Sequence, residues 1–92
     1  MNEETKLVIS SLSHNDDFVN SIRSVIDTYT HYNKESILLF VASSIYDMLD
    51  YEVASSLEEA SDITVQLAML SFNRVNFNDI ANYFIGEYER QR

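Results

Sequence analysis

The sequence contains no cysteine and no proline, and its 92 residues include a single glycine, Gly86. Without cysteine the chain forms no disulfide, has no thiol nucleophile and offers no thiolate to a metal, which fits a reducing compartment. Tight β-hairpin turns usually recruit glycine at positive φ, often as Asn-Gly, and no asparagine here precedes the glycine. These absences disfavour a β-rich fold.

Basic residues are absent from the whole stretch between Lys34 and Arg74. That stretch holds seven carboxylates, which supply −7 of the formal net charge of −9. Direct nucleic-acid binding is disfavoured, because phosphate contacts require lysine and arginine. A block of one charge sign attracts cations, so the expected partner is a basic surface of another protein.

Long hydrophobic runs are also missing. The longest run, residues 37–42, has six residues, whereas a membrane-spanning helix needs about twenty. Residues 1–4 are acidic and lack the basic and apolar regions of a signal peptide. We therefore expect a soluble, cytoplasmic protein that does not insert into a membrane.

The hydrophobic content of 46% is that of a globular protein, and 92 residues are enough for one hydrophobic core. Apolar residues recur at helical spacing, and asparagine, serine and aspartate, which are common helix N-caps, fall between the apolar stretches. This pattern predicts an all-α fold, a compact single-domain bundle of about five short helices covering residues 1–92. The predicted helices are residues 3–12, 16–32, 34–52, 57–72 and 77–89.

The third predicted helix is apolar on all sides over residues 37–42, which is typical of a helix packed centrally among the others. The predicted N-caps are Asn15, Asn33 and either Asn76 or Asn78, and Ser55 or Ser56 is expected to form a capping box with Glu58 or Glu59. The side chains expected to face the core are Leu7, Val8 and Leu12 in the first helix; Phe18, Ile22, Val25, Ile26 and Tyr29 in the second; Ile45, Met48 and Leu49 late in the third; Leu57, Ala60, Ile63, Leu67 and Leu70 in the fourth; and Phe77, Ile80, Ala81, Phe84 and Tyr88 in the fifth.

Residue patterns of enzyme sites are missing. The two histidines, His14 and His31, have no second histidine at helical ligand spacing, and no Glu-x-x-His pattern occurs. A single glycine cannot build a Gly-x-Ser-x-Gly nucleophile turn or a phosphate-binding loop. We expect no enzymatic activity, no cofactor and no dedicated metal site.

Six of the mid-chain carboxylates cluster where the third predicted helix ends and the fourth begins. We call these the corner acids: Asp47, Asp50, Glu52, Glu58, Glu59 and Asp62. Residues three or four apart lie about 5–6 Å from each other on a helix face, a spacing comparable with that of phosphates along a nucleic-acid strand. The corner acids are therefore candidates for partner binding. The simpler interpretation is a helix cap and a solvated acidic face that keeps a small domain in solution.

Six tyrosines and five phenylalanines are more aromatic side chains than a core of this size readily covers. Tyr46 and Tyr51 lie in sequence beside the corner acids, and tyrosine is enriched at interfaces because it joins a large apolar area to a polar tip. We consider both candidate anchors for a partner. The alternative is that most tyrosines cover the core with their hydroxyls in water.

Together these features favour a small acidic binding protein or inhibitor that occupies a basic site on a partner protein, such as a nucleic-acid-binding cleft. In general character such a protein resembles nucleic-acid mimics and immunity proteins. The open alternative is a homo-oligomeric structural or adaptor module, for instance a homodimer. The apolar third helix motivates this alternative, because it is more hydrophobic than a five-helix monomer readily covers.

Overall fold

The computed structural model describes residues 1–91 and contains five α-helices; Arg92 lies outside the described part. The helices are α1 (Glu3–Ser13), α2 (Asp16–Tyr29), α3 (Lys34–Ser56), α4 (Asp62–Phe72) and α5 (Phe77–Arg90). No strand occurs in residues 1–91. The predicted all-α bundle is confirmed. Within the same residues, none of the helices has the length and apolarity that crossing a bilayer would require.

Asparagine side chains start four of the five helices. The Oδ1 atoms of Asn15, Asn33 and Asn76 each accept a hydrogen bond from a backbone N–H three residues later, at 2.8–3.0 Å. Asn2 does the same for α1, where the acceptor lies 2.9 Å from the Thr5 nitrogen. Each cap satisfies an N–H that the helix itself cannot, which is worth about 1 kcal/mol. The caps predicted at Asn15, Asn33 and Asn76 are confirmed.

Helix α3 lies at the centre of the bundle, between α2 and α5. The buried hydrophobic residues come from these three helices: Ile22 and Ile26 of α2, Val41, Ala42 and Ile45 of α3, and Ile80, Ala81 and Phe84 of α5. At one edge the ring of Phe18 meets that of Phe84 edge-on at 5.7 Å between centroids. The predicted central position of the third helix is confirmed, and the buried residues of α2 and α5 belong to the predicted stripes.

The start of α1 is tied to the connection that leads into α5. Thr5 is fully buried, and its hydroxyl oxygen accepts the Asn76 backbone N–H at 2.9 Å. The Asn2 amide donates to the Arg74 carbonyl oxygen at 2.6 Å, and the Arg74 guanidinium lies 3.1 Å from the Glu4 carboxylate. These contacts fix the chain where it leaves α4.

The boundary between α3 and α4 differs from the prediction. Helix α3 continues through Ser56, because the Leu57 N–H closes its last turn on the Val53 carbonyl at 3.1 Å. Ser55 and Ser56 therefore belong to α3 and cannot form the predicted capping box. Ser61 caps α4 instead, with its Oγ accepting the Thr64 N–H at 3.4 Å.

The packing face predicted for the fourth helix is wrong. Ile63, Leu67 and Leu70 were expected to face the core, yet they are 68%, 60% and 64% exposed. A second apolar face of α4 is the half-buried one, formed by Val65, Ala68 and Phe72. Leu7 of α1 was also expected to pack and is 67% exposed. In α4 the reason is that both faces are apolar, so periodicity alone cannot tell which one packs.

Candidate partner-binding surface

A wide, shallow groove runs between α3 and the junction of α1 with α2. Its volume is about 690 Å³, and Asp47, Tyr51 and Glu52 line it from the α3 side. Asp17, in the first turn of α2, lines it from the other side. We call this the acidic groove. Its remaining lining residues are Ser11, Leu12, Asn15, Phe18, Ser21, Met48 and Leu49.

No ion pair among residues 1–91 involves a carboxylate of the acidic groove. In residues 1–91 the ion pairs are Lys6 with Glu3, Arg74 with Glu4, and Arg90 with Glu87. None of them includes a corner acid or Asp17. The negative charge of this groove is therefore left for solvent cations or for a cationic partner.

The corner acids do not all reach one surface. Asp47 and Glu52 line the acidic groove, whereas Asp50, Glu58, Glu59 and Asp62 do not. Asp50 is exposed on α3 three residues after Asp47, so the two carboxylates lie on neighbouring parts of the helix surface. Glu58 and Glu59 are exposed in the connection before α4, and Asp62 is the first residue of α4.

The two candidate tyrosine anchors have different environments. The Tyr46 ring centroid lies 5.1 Å from that of Phe77 and 5.6 Å from that of Phe72, in edge-on contacts that join α3, α4 and α5. Tyr46 nevertheless remains 44% exposed. Tyr51 is 74% exposed and lines the acidic groove. Tyr51 therefore offers more free apolar area to a partner, while Tyr46 mainly holds α4 in place.

Sequence reasoning missed Asp17 and Phe18 as parts of this surface. From the sequence alone, Asp17 is one of two acids in the first turn of α2, and Phe18 is a predicted core residue. These roles concern α2 alone. Whether Asp17 and Phe18 line a groove with Tyr51 depends on how the start of α2 packs against α3, and the local sequence does not predict that packing.

Metal ligands are not grouped in the described chain. No set of three or more histidine, cysteine, aspartate or glutamate side chains in residues 1–91 is placed to hold a metal ion. His14 instead has its Nδ1 atom 2.7 Å from the Ser10 carbonyl oxygen, one helical turn back along α1. The chain has no significant match among protein-family models, curated proteins or solved structures.

Proposed function

We propose that this protein binds a basic surface of another protein and, by occupying it, inhibits what that surface does. The observation that carries the proposal is the acidic groove, which Asp17, Asp47 and Glu52 line together with the exposed Tyr51. None of the three acids is ion-paired within residues 1–91. An uncompensated charge of this kind is a cost to the isolated protein that a cationic partner relieves.

Charge and aromatic area have separate roles in such a complex. Opposite charges raise the association rate over long distances, and salt screens this effect. Tyr51 supplies a large amphipathic side chain at low entropic cost, which slows dissociation once it is buried. Together the two give fast and specific occupation of a basic site.

A nucleic-acid-binding cleft is the basic site that we propose as the target. Asp47 and Asp50 are one helical turn apart, at the 5–6 Å spacing of neighbours on a helix face, so they present two exposed carboxylates in a row. Glu58 and Glu59 follow the end of α3 in the chain and Asp62 begins α4, and all three are exposed, so they add further negative charge at the protein surface. A cleft lined by lysine and arginine for phosphates would meet carboxylates in place of phosphates.

The test is a charge reversal in the acidic groove. The double variant Asp47→Lys/Glu52→Lys is used as bait for partner capture beside the unaltered protein and a matched control, Glu35→Lys/Glu89→Lys. The control changes the net charge by the same amount at exposed positions outside the acidic groove. We expect the groove variant to lose affinity at least tenfold, with the control close to the unaltered protein and all three equally helical by circular dichroism.

Salt and competition complete this test. Capture by the unaltered protein should weaken as sodium chloride is raised, and the captured partner should release labelled DNA or RNA when the protein is added. If both double variants retain the partner equally, or if capture is indifferent to salt, the acidic groove is not the contact. If the partner is captured but releases no nucleic acid, the proposal of a basic target surface stands, and a nucleic-acid-binding cleft is excluded as that target.

The second candidate function is a homo-oligomeric structural or adaptor module. The observation that favours it is the uncovered row of Ile63, Leu67 and Leu70 on α4, since apolar rows of this kind often mark an interface. Sedimentation equilibrium decides between the two. A dimer that persists at micromolar concentration supports the homo-oligomeric function, and a strict monomer excludes it.

A further inference from the structure

A second groove lies beside the C-terminal half of α3, between α1 and α4, and shares Leu49 with the acidic groove. It encloses about 310 Å³, and its lining is almost wholly apolar. Leu49 and Val53 of α3 lie between Leu7 and Val8 of α1 on one side and Ala68 and Phe72 of α4 on the other. We call this the apolar groove. Glu4, paired with Arg74 at 3.1 Å, is the charged residue of its lining.

The apolar character continues past the edges of this groove. Leu7, on the α1 wall, is 67% exposed. Leu67 is 60% exposed and lies one turn before Ser71, which lines the α4 wall. Leu67 also belongs to the outward row with Ile63 and Leu70, at the i, i+4, i+7 spacing by which helices contact one another. Two helical walls over a helical floor form a surface suited to another helix.

Charge around the apolar groove indicates what covers it. Residues 35–73, which include the floor and the α4 wall, contain seven acids and no base. A second copy of this chain would bring a further net charge of −9, including the same corner acids, which form no ion pair with residues 1–91. Like charges brought together oppose association, whereas lysine and arginine beside an apolar face would find carboxylates at Glu58, Glu59 and Asp62.

We infer that the apolar groove binds a basic amphipathic helix of the partner protein, with bulky apolar side chains on one face and lysine or arginine beside them. This inference rests on the proposed function, because it takes the partner to be basic, and it adds the form in which the partner presents itself. The apolar side chains of the helix fill the space over Leu49 and Val53, and its cations face the corner acids before α4.

The experiment uses the full chain and a synthetic peptide of about 16 residues, long enough to form a helix on binding. The peptide has leucines at i, i+4, i+7 and i+11 and lysine or alanine elsewhere, and its control is an isomer with the same residues and leucines spread over all faces. Protein variants are Leu7→Gln/Leu67→Gln and the matched control Leu39→Gln, which alters a leucine of α3 that is 63% exposed and outside the groove.

We expect saturable one-to-one binding of the amphipathic peptide in calorimetry, at least tenfold weaker binding by the Leu7→Gln/Leu67→Gln protein, and less than a twofold change for Leu39→Gln. If the two isomers bind equally and the leucine substitutions have no effect, the peptide is attracted by charge alone. That result overturns this inference and leaves the proposed function standing. No binding of either peptide also overturns it. A concentration-dependent dimer that the Leu7→Gln/Leu67→Gln substitutions dissolve would show that a second copy covers the groove.

Failure of the proposed function looks different from any of these results. In that case the Asp47→Lys/Glu52→Lys protein would still capture the native partner, whatever the leucine substitutions do. The two sets of variants share no residue: Asp47 and Glu52 line the acidic groove. Leu7 lines the apolar groove and Leu67 lies one turn from its α4 wall, so each proposal is judged by its own residues.

Discussion

The molecule has two regions of unlike packing. Every buried side chain belongs to residues 1–45 or 80–91, and none of residues 46–79 is buried. The second region nevertheless contains six of the eleven large hydrophobic side chains that are exposed in the described chain: Tyr46, Tyr51, Ile63, Leu67, Met69 and Leu70. It also carries seven carboxylates against one basic residue, Arg74.

The difference separates the source of stability from the surface available for recognition. The first region removes branched aliphatic side chains from water, which is the dominant favourable term in folding. The second region leaves both apolar area and negative charge in water, which does little for the isolated fold. A partner that covered residues 46–79 would bury the area that folding leaves exposed.

The largest expected difference in stability between the regions comes from an isoleucine-to-alanine substitution made in each. Ile80→Ala removes a side chain with no exposed area, and we expect it to lower the free energy of unfolding by about 2–5 kcal/mol. Ile63→Ala removes a side chain that is 68% exposed, so its cost should stay near the 0.5 kcal/mol typical of surface substitutions. Urea denaturation of both variants measures this. Equal losses would mean that α4 packs as tightly as α5.

The next test addresses the junction where the two regions meet. Thr5→Val keeps the shape of the side chain but removes the oxygen that accepts the Asn76 N–H. This hydrogen bond is part-buried, and a donor left unpaired away from water costs about 1–3 kcal/mol, so we expect a loss at the lower end of that range in urea denaturation. Thr28→Val, at an exposed threonine of α2 whose hydroxyl donates to the Ser24 carbonyl of its own helix, is the matched control and should change stability far less.

A smaller effect is expected at the aromatic contacts that hold α4. Phe72→Leu removes the ring that lies 5.6 Å from both Tyr46 and Phe77. Aromatic pairs contribute about 0.5–1.5 kcal/mol beyond the area they bury, so the loss should fall in that range. Native-state hydrogen exchange should show faster opening of α4 amides and unchanged exchange at Ile22, Val41 and Ile80. Uniform acceleration of all helices would show that the two regions unfold as one.

The smallest effect is a gain confined to the packed region. Gly86 lies inside α5, without positive φ, and a Cβ atom placed there would meet nothing within 4 Å. Gly86→Ala should therefore stabilise the protein by about 0.5–1 kcal/mol. Thermal unfolding measures the gain, and exchange of the α4 amides should stay as it was. A destabilised variant would indicate that something packs at this position.

The sequence predicted the buried face of a helix correctly where its apolar residues form a single stripe. In α2 and α5 the apolar residues form a single stripe, and Ile22 and Ile80 are buried as that stripe predicts. Asn15 and Asn33 cap their helices because their short side chains bring an acceptor oxygen to the unpaired N–H three residues later. The start and orientation of α4 could not be predicted in the same way, because its two apolar faces compete and only tertiary packing selects one.

The candidate surface was predictable in composition but not in shape. The absence of bases between Lys34 and Arg74 identifies a negatively charged region from sequence alone. It does not show that Asp47 and Glu52 share a groove with Asp17, or that the ring of Tyr46 packs on Phe72 and Phe77. Those facts depend on the angles between helices, which a single sequence does not contain.

No residue from 1 to 91 has a positive φ, and this includes every helix end. The turns that follow α2 and α4 begin at Thr30 and Asn73, both in the right-handed helical region that any amino acid adopts without strain. The joints of this fold thus place no demand on glycine. At Thr30 and Asn73 the backbone itself would accept almost any amino acid, so drift along a lineage should reach these two positions early and spare the neighbouring caps Asn33 and Asn76.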